Sequence, residues 1–210
     1  MDAGAFAIFI FSAMLISLSG VISPGPMTAA TIEHGARSRL SGFYISIGHG
    51  IVEAPLIIAI YLGASRLLQH QATAIAIGLL GGLYLLYMAA GLLRPRPAQS
   101  TGKSKVHAGH SMIAGIVLSI TNPYFLLWWA TIGLGLVLGA EKFGLAGIAV
   151  FIVAHWLCDL VWFTLLGLLA YKGVEAFGAG LYRKVSVICG ASLLIFGGMF
   201  IYSSIRLMIS

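Results

Sequence analysis

The stretch SGVISPGPMTAATIEHG, residues 19–35, decides how the chain is read. It closes a run with no charged side chain between Ala3 and Ile32. Proline lacks a backbone N–H and clashes with the preceding turn, and glycine weakens a helix through its conformational freedom. Pro24-Gly25-Pro26 therefore breaks a helix that reaches it. Inside a bilayer the freed backbone groups meet no water, so they need protein or a wet cavity around them. The break lies either outside the hydrocarbon or beside a cavity.

Composition favours the bilayer. Of 210 residues, 60% are hydrophobic and 9% charged, with mean hydropathy +1.01; a soluble domain carries about 25% charged residues. The sequence thus predicts an integral membrane protein built as one compact bundle. No Lys or Arg precedes Arg37, so the first apolar run lacks the positive flank of a cleaved signal peptide. Cys158 and Cys189 lie in apolar runs without a CxxC pair and read as small hydrophobes.

Six stretches, 5–31, 42–63, 72–93, 111–139, 144–171 and 185–207, reach the length needed to cross the hydrocarbon, roughly 20 residues for about 30 Å. None alternates apolar and polar residues as barrel strands do, so the bundle is helical. Arg37 and Arg39 follow the first stretch, Arg94, Arg96, Lys103 and Lys105 the third, and Lys172, Arg183 and Lys184 the fifth. Arg66, Lys142 and Arg206 fall on the opposite side. The positive-inside rule then predicts a multi-pass protein of the cytoplasmic (inner) membrane with both termini outside. The net charge of +6 is accounted for by these loops, and no nucleic-acid partner is expected. The segment RPRPAQSTGKSKVHAGH, residues 94–110, reads as a basic cytoplasmic linker touching anionic headgroups. It divides the chain into three-helix units at 1–93 and 111–210.

These units resemble each other. Span two carries His49 and, four residues on, Glu53; span five carries His155 and Asp159 at the same spacing, each 106 residues after its counterpart. Spans one and four are both overlong and interrupted by proline, at Ser23-Pro24-Gly25-Pro26 and at Thr121-Asn122-Pro123. Three spans per unit make the second run opposite to the first. The expected fold is therefore all-α, six transmembrane helices arranged as two inverted-topology repeats with proline-broken first and fourth helices. In transporters such breaks point to a substrate site near the midplane, where the repeats meet.

The same pattern names candidate residues. Half-helix ends carry partial charge and can hold the amino or carboxylate group of a small zwitterion. Ser23, Pro24, Gly25, Pro26, Thr121, Asn122 and Pro123 are accordingly expected at the substrate, with Thr28 and Thr31 as further neutral polar groups. A carboxylate at mid-bilayer must face the bundle or a wet path. Glu53 and Asp159 with His49 and His155 are therefore expected to bind an ammonium group or carry protons. The bland alternative is interhelical hydrogen bonding that locks the units together. Gly78-x-x-x-Gly82 and Gly135-x-x-x-Gly139 allow close helix approach, within the monomer or in a homo-oligomer. Trp128 and Trp129 read as cavity walls or interface anchors. No phosphate-binding loop is present, so ATP-driven transport by this chain alone is not expected.

At these residues the sequence resembles the lysine exporter (LysE) family of amino-acid efflux proteins over essentially the whole chain. SPGP at 23–26 resembles its Pro-Gly-Pro signature, and TNPYFLLWW at 121–129 its Asn-Pro segment. The Gly-rich second span and DLVWFTLLG at 159–167 also fit. The resemblance implies a six-helix secondary exporter, not an enzyme, without cofactor, driven by protons or membrane potential. It also implies that Pro24, Gly25, Pro26, Asn122 and Pro123 form a discontinuous-helix core. Many members carry an Asp in span two where this chain has GHGIVE, a departure that bears on substrate identity. Related metal exporters make a divalent-ion exporter using the His/acid pairs the alternative. Related thiol-disulfide carriers need a Cys at a broken helix, where this chain has Gly25. An alternative of another class is a membrane assembly protein without a transport cycle.

Overall fold

The computed structural model describes residues 2–23, 25–64, 70–94 and 107–209. Their order is α1 (Ala3–Val21), α2 (Pro26–Gly35), α3 (Ser41–Ala59), α4 (Gln71–Leu93), α5 (Ala108–Thr121), α6 (Pro123–Trp128), α7 (Leu134–Glu141) and α8 (Gly144–Ile209). π-helical turns follow α3 at Ile60–Ala64 and α6 at Trp129–Gly133. No strand occurs among the described residues. Among the described residues, six helical stretches are long and apolar enough to cross a membrane: Ala3–Val21, Ser41–Ala64, Gln71–Leu93, Pro123–Glu141, Gly144–Phe177 and Ser186–Ile209. Large apolar side chains point outward along them, among them Ile8, Leu62, Leu80 and Tyr87. A bilayer tolerates such a surface.

The helix boundaries follow local chemistry. α1 opens on Asp2, whose Oδ1 accepts from the N–H groups of Gly4 and Ala5. α2 begins at Pro26, where a missing N–H costs nothing because a first-turn amide has no partner within the helix. Pro123 plays the same part for α6, and Asn122 Oδ1 caps that helix by accepting from Tyr124 N–H at 3.1 Å. The apolar run 111–139 is consequently two helices: the 14-residue α5, short for a crossing, and the longer stretch Pro123–Glu141. α3 runs on through Pro55. α8 is helical over 66 residues, so helical geometry continues between the expected fifth and sixth spans. Pro24, Arg66 and most of the 94–110 linker lie outside the described residues.

Glycines set the closest helix crossings. In lipid, association rests on van der Waals contact and interhelical hydrogen bonds, which small residues permit. α3 and α5 touch backbone to backbone: a methyl at Gly48 would strike the Met112 carbonyl, and one at Gly115 the Ile45 carbonyl. α4 lies along the second apolar stretch of α8, with Gly78 on Ser204 and Gly82 on Gly197 and Ile201. Gly78-x-x-x-Gly82 is thus a contact within the chain, whereas Gly135 faces open space. Arg183 donates from its guanidinium to the carbonyls of Leu92, Leu93 and Arg94 at 3.2–3.4 Å, closing the C-terminal end of α4.

Two apolar clusters result. One holds Ile45, Leu85, Leu118, Phe163 and Leu193; the other holds Ile57, Trp129, Val137 and Phe151. Rings from both close on a buried polar group. His49 stacks edge-on against Phe163 of the first and Phe125 of the second.

Candidate functional site

That polar group is assembled from four side chains, two on α3 and two on α8. The i, i+4 spacing puts His49 and Glu53 on one face of α3, and His155 and Asp159 on one face of α8. The helices bring the faces together. Glu53 Oε1 lies 3.1 Å from both His49 Nε2 and His155 Nε2. Asp159 completes the ring, Oδ1 at 3.7 Å from His49 Nε2 and Oδ2 at 3.7 Å from His155 Nε2. All four residues are buried, Glu53 and Asp159 at 2% exposure.

Each imidazole is fixed from behind by a serine of the opposite half of the chain. Ser17 Oγ on α1 lies 2.6 Å from His155 Nδ1, and Ser119 Oγ on α5 lies 2.7 Å from His49 Nδ1. Each serine spends its single hydrogen on a carbonyl one turn earlier, Ala13 O at 2.7 Å and Gly115 O at 2.6 Å.

The tetrad lines an open cleft with about 70 Å³ of room for water-sized molecules. Ser23, Gly25, Pro26 and Thr28 border it from the junction of α1 and α2, and Asn122 from the junction of α5 and α6. Thr121 and Pro123 do not. Thr121 Oγ1 donates to Val117 O, and both residues abut Gly81 of α4. Thr31 is buried outside the lining. Trp128 and Trp129 wall the cleft, with ring centroids 5.5 and 5.0 Å from that of His155. The π-helical turn after α6 seats Trp129 over Gly133, where a Cβ would collide with the indole. At the mouth, Tyr124 Oη donates to Ser23 Oγ at 3.3 Å and so links the two helix junctions.

Two features of the site mark it as unfinished. Glu53 Oε2 and Asp159 Oδ2 are buried without a hydrogen-bond partner. A buried acceptor left unpaired costs about 1–3 kcal/mol, which a ligand donor or a proton would recover. The first turn of α2 also lacks a side-chain cap, because Gly25 precedes it. One ligand atom each from His49, Glu53 and Asp159 lies within 4.8 Å of the others, a spacing a metal ion could also use.

Ser17 and Ser119 are site residues that the sequence analysis missed. A signal was present, since each stands a few residues before a proline break. However, several other serines share those segments.

Six apolar helical stretches around a buried polar cleft define a multi-pass membrane protein. The chain belongs to the LysE type translocator family, whose model matches residues 18–204. It is also 25% identical over 201 residues to a Bacillus subtilis (strain 168) protein named "Putative amino acid efflux protein YcgF", covering 93% of this chain and 96% of that one. No solved structure matches it.

Proposed function

We propose that this protein is a secondary transporter that exports amino acids, or close zwitterionic derivatives, across the cytoplasmic membrane in exchange for protons. The observation that carries the reading is the His49–Glu53–His155–Asp159 tetrad, which leaves two buried carboxylate oxygens unpaired beside a cleft. Family membership and the relative's name support amino-acid efflux.

The substrate ammonium has three N–H donors and fits Glu53 Oε2 and Asp159 Oδ2. Its carboxylate fits the uncapped start of α2, the positive end of that helix dipole. Protons and the ammonium compete for the same acceptors, and that competition couples their movements in opposite directions. Each half of the chain supplies one acid, one His and one serine acting on the other half's His. This exchange of contacts supports reading 1–93 and 111–210 as inverted repeats, joined by the 94–110 linker, with the site at their interface. Rocking one repeat against the other would expose the tetrad to each side in turn.

A second reading rests on the donor set. His49, Glu53 and Asp159 present nitrogen and oxygen ligands close together, as export of a divalent metal would require. Counterflow in proteoliposomes separates the two. Exchange of labelled amino acids that is lost in Glu53→Gln supports the exporter, and exchange of Mn²⁺, Zn²⁺ or Cd²⁺ alone supports the metal reading.

A further inference from the structure

We infer that the exported amino acid is neutral, with a large apolar or aromatic side chain, and that Gly20 and Trp128 set its size limit. This rests on the exporter reading above and goes beyond it by naming the substrate class.

The charges in the cleft decide the first half of the inference. The only charged groups among its described lining residues are the four of the tetrad. Glu53 Oε1 is already taken by two imidazoles, and two unpaired carboxylate oxygens remain, which suffice for one ammonium. A lysine or arginine side chain would bring a second cation with no acid left to receive it. An acidic side chain would bring an anion, and no Lys or Arg lines the cleft among the described residues. Burying either charge unpaired costs several kcal/mol. A neutral side chain avoids that cost.

The apolar wall decides the second half. Beyond the tetrad the side chain meets Val21, Met27, Phe125, Trp128 and Phe163. Trp129 and Phe163 are almost fully buried, their rings already set against His155 and His49. Trp128 is only partly buried, with its ring 5.2 Å from that of Trp129 and 5.5 Å from that of His155. Behind it stands Gly20: a Cβ there would approach Trp128 Nε1 to 2.8 Å and Cε2 to 3.0 Å. A methyl at position 20 must therefore displace the indole, and both residues line the cleft. One methylene of pocket space is worth about 10–200-fold in discrimination, so this contact is close enough to set selectivity.

The test is counterflow in proteoliposomes with labelled leucine, methionine, phenylalanine, lysine, arginine and glutamate. Leucine, methionine and phenylalanine are expected to exchange at least about tenfold faster than the three charged substrates. Faster exchange of lysine, arginine or glutamate would overturn this inference and leave the exporter reading standing. Exchange of none of them would overturn both. In Gly20→Ala the ratio of phenylalanine to methionine exchange is expected to fall about tenfold, and an unchanged ratio would remove Gly20 and Trp128 from the size limit. If Gly20→Ala does not fold, Trp128→Ala is read instead. It should raise the KM for leucine and methionine, and an unaltered KM would contradict the assignment.

Discussion

Ser17 Oγ lies 2.6 Å from His155 Nδ1, across 138 positions of chain, and this contact determines which nitrogen of the ring faces the carboxylates. Ser119 does the same for His49 at 2.7 Å. The serines touch no cleft acid, yet they hold both Nε2 atoms on Glu53.

Replacing Ser17 by alanine removes the hydrogen-bond partner of a buried ring nitrogen, a loss of about 1–3 kcal/mol. The ring is then free to turn, so the pH profile of transport should move as well as the melting temperature. Ser17→Thr, which keeps the hydroxyl, should restore both. Ser119→Ala should behave alike, and the double variant should lose less than the two singles added, because both act on one network. Thermal melts and pH-dependent counterflow of the four variants check this.

Glu53 and Asp159 are not equivalent. Glu53 Oε1 lies 3.1 Å from both imidazoles, whereas the closest approach of Asp159 to either is 3.7 Å. Breaking a buried ion pair from one side costs about 3–5 kcal/mol. Glu53→Gln should fall in that range and Asp159→Asn clearly below it. Melting temperatures in detergent give the comparison, and equal losses would contradict the geometry.

At Gly115 a methyl would meet the Ile45 carbonyl and the His49 amide nitrogen, both backbone atoms. α3 and α5 would have to separate, at about 1–3 kcal/mol or more, and His49 would move with α3. Gly115→Ala should therefore lose both stability and transport. Gly91→Ala, where nothing lies within 4 Å, is the control. It should be neutral or stabilising by up to about 1 kcal/mol through helix propensity.

Arg183 closes the carbonyls at the end of α4. Its contacts are partly exposed, so Arg183→Ala should cost only about 1 kcal/mol. The effect should be local: hydrogen exchange should quicken in the last turn of α4 and remain unchanged around the tetrad.

The all-helical membrane fold and the His/acid pairs were legible because both rest on local signals, apolar length and i, i+4 spacing. Convergence of the two pairs needs tertiary contact, and the repeat spacing only hinted at it. Ser17 and Ser119 stayed hidden because each serves a ring on a distant helix, and a buried serine looks no different in sequence from Ser12 or Ser19. Thr121 and Pro123 show the converse. They adjoin Asn122, but the helical turn directs them onto Gly81 while Asn122 faces the cleft. Adjacency in the motif did not determine which side chain lines the site.

In the proposed exchange, one buried tetrad binds the substrate ammonium and the coupling proton by turns. Its most direct test is amino-acid counterflow in proteoliposomes from pH 6 to pH 8, comparing the wild-type chain with Glu53→Gln and Asp159→Asn, each shown to be folded. The expected result is pH-dependent exchange in the wild type, lost in Glu53→Gln and reduced in Asp159→Asn. Exchange in both variants at the wild-type rate across that pH range would contradict it and return the tetrad to a structural role.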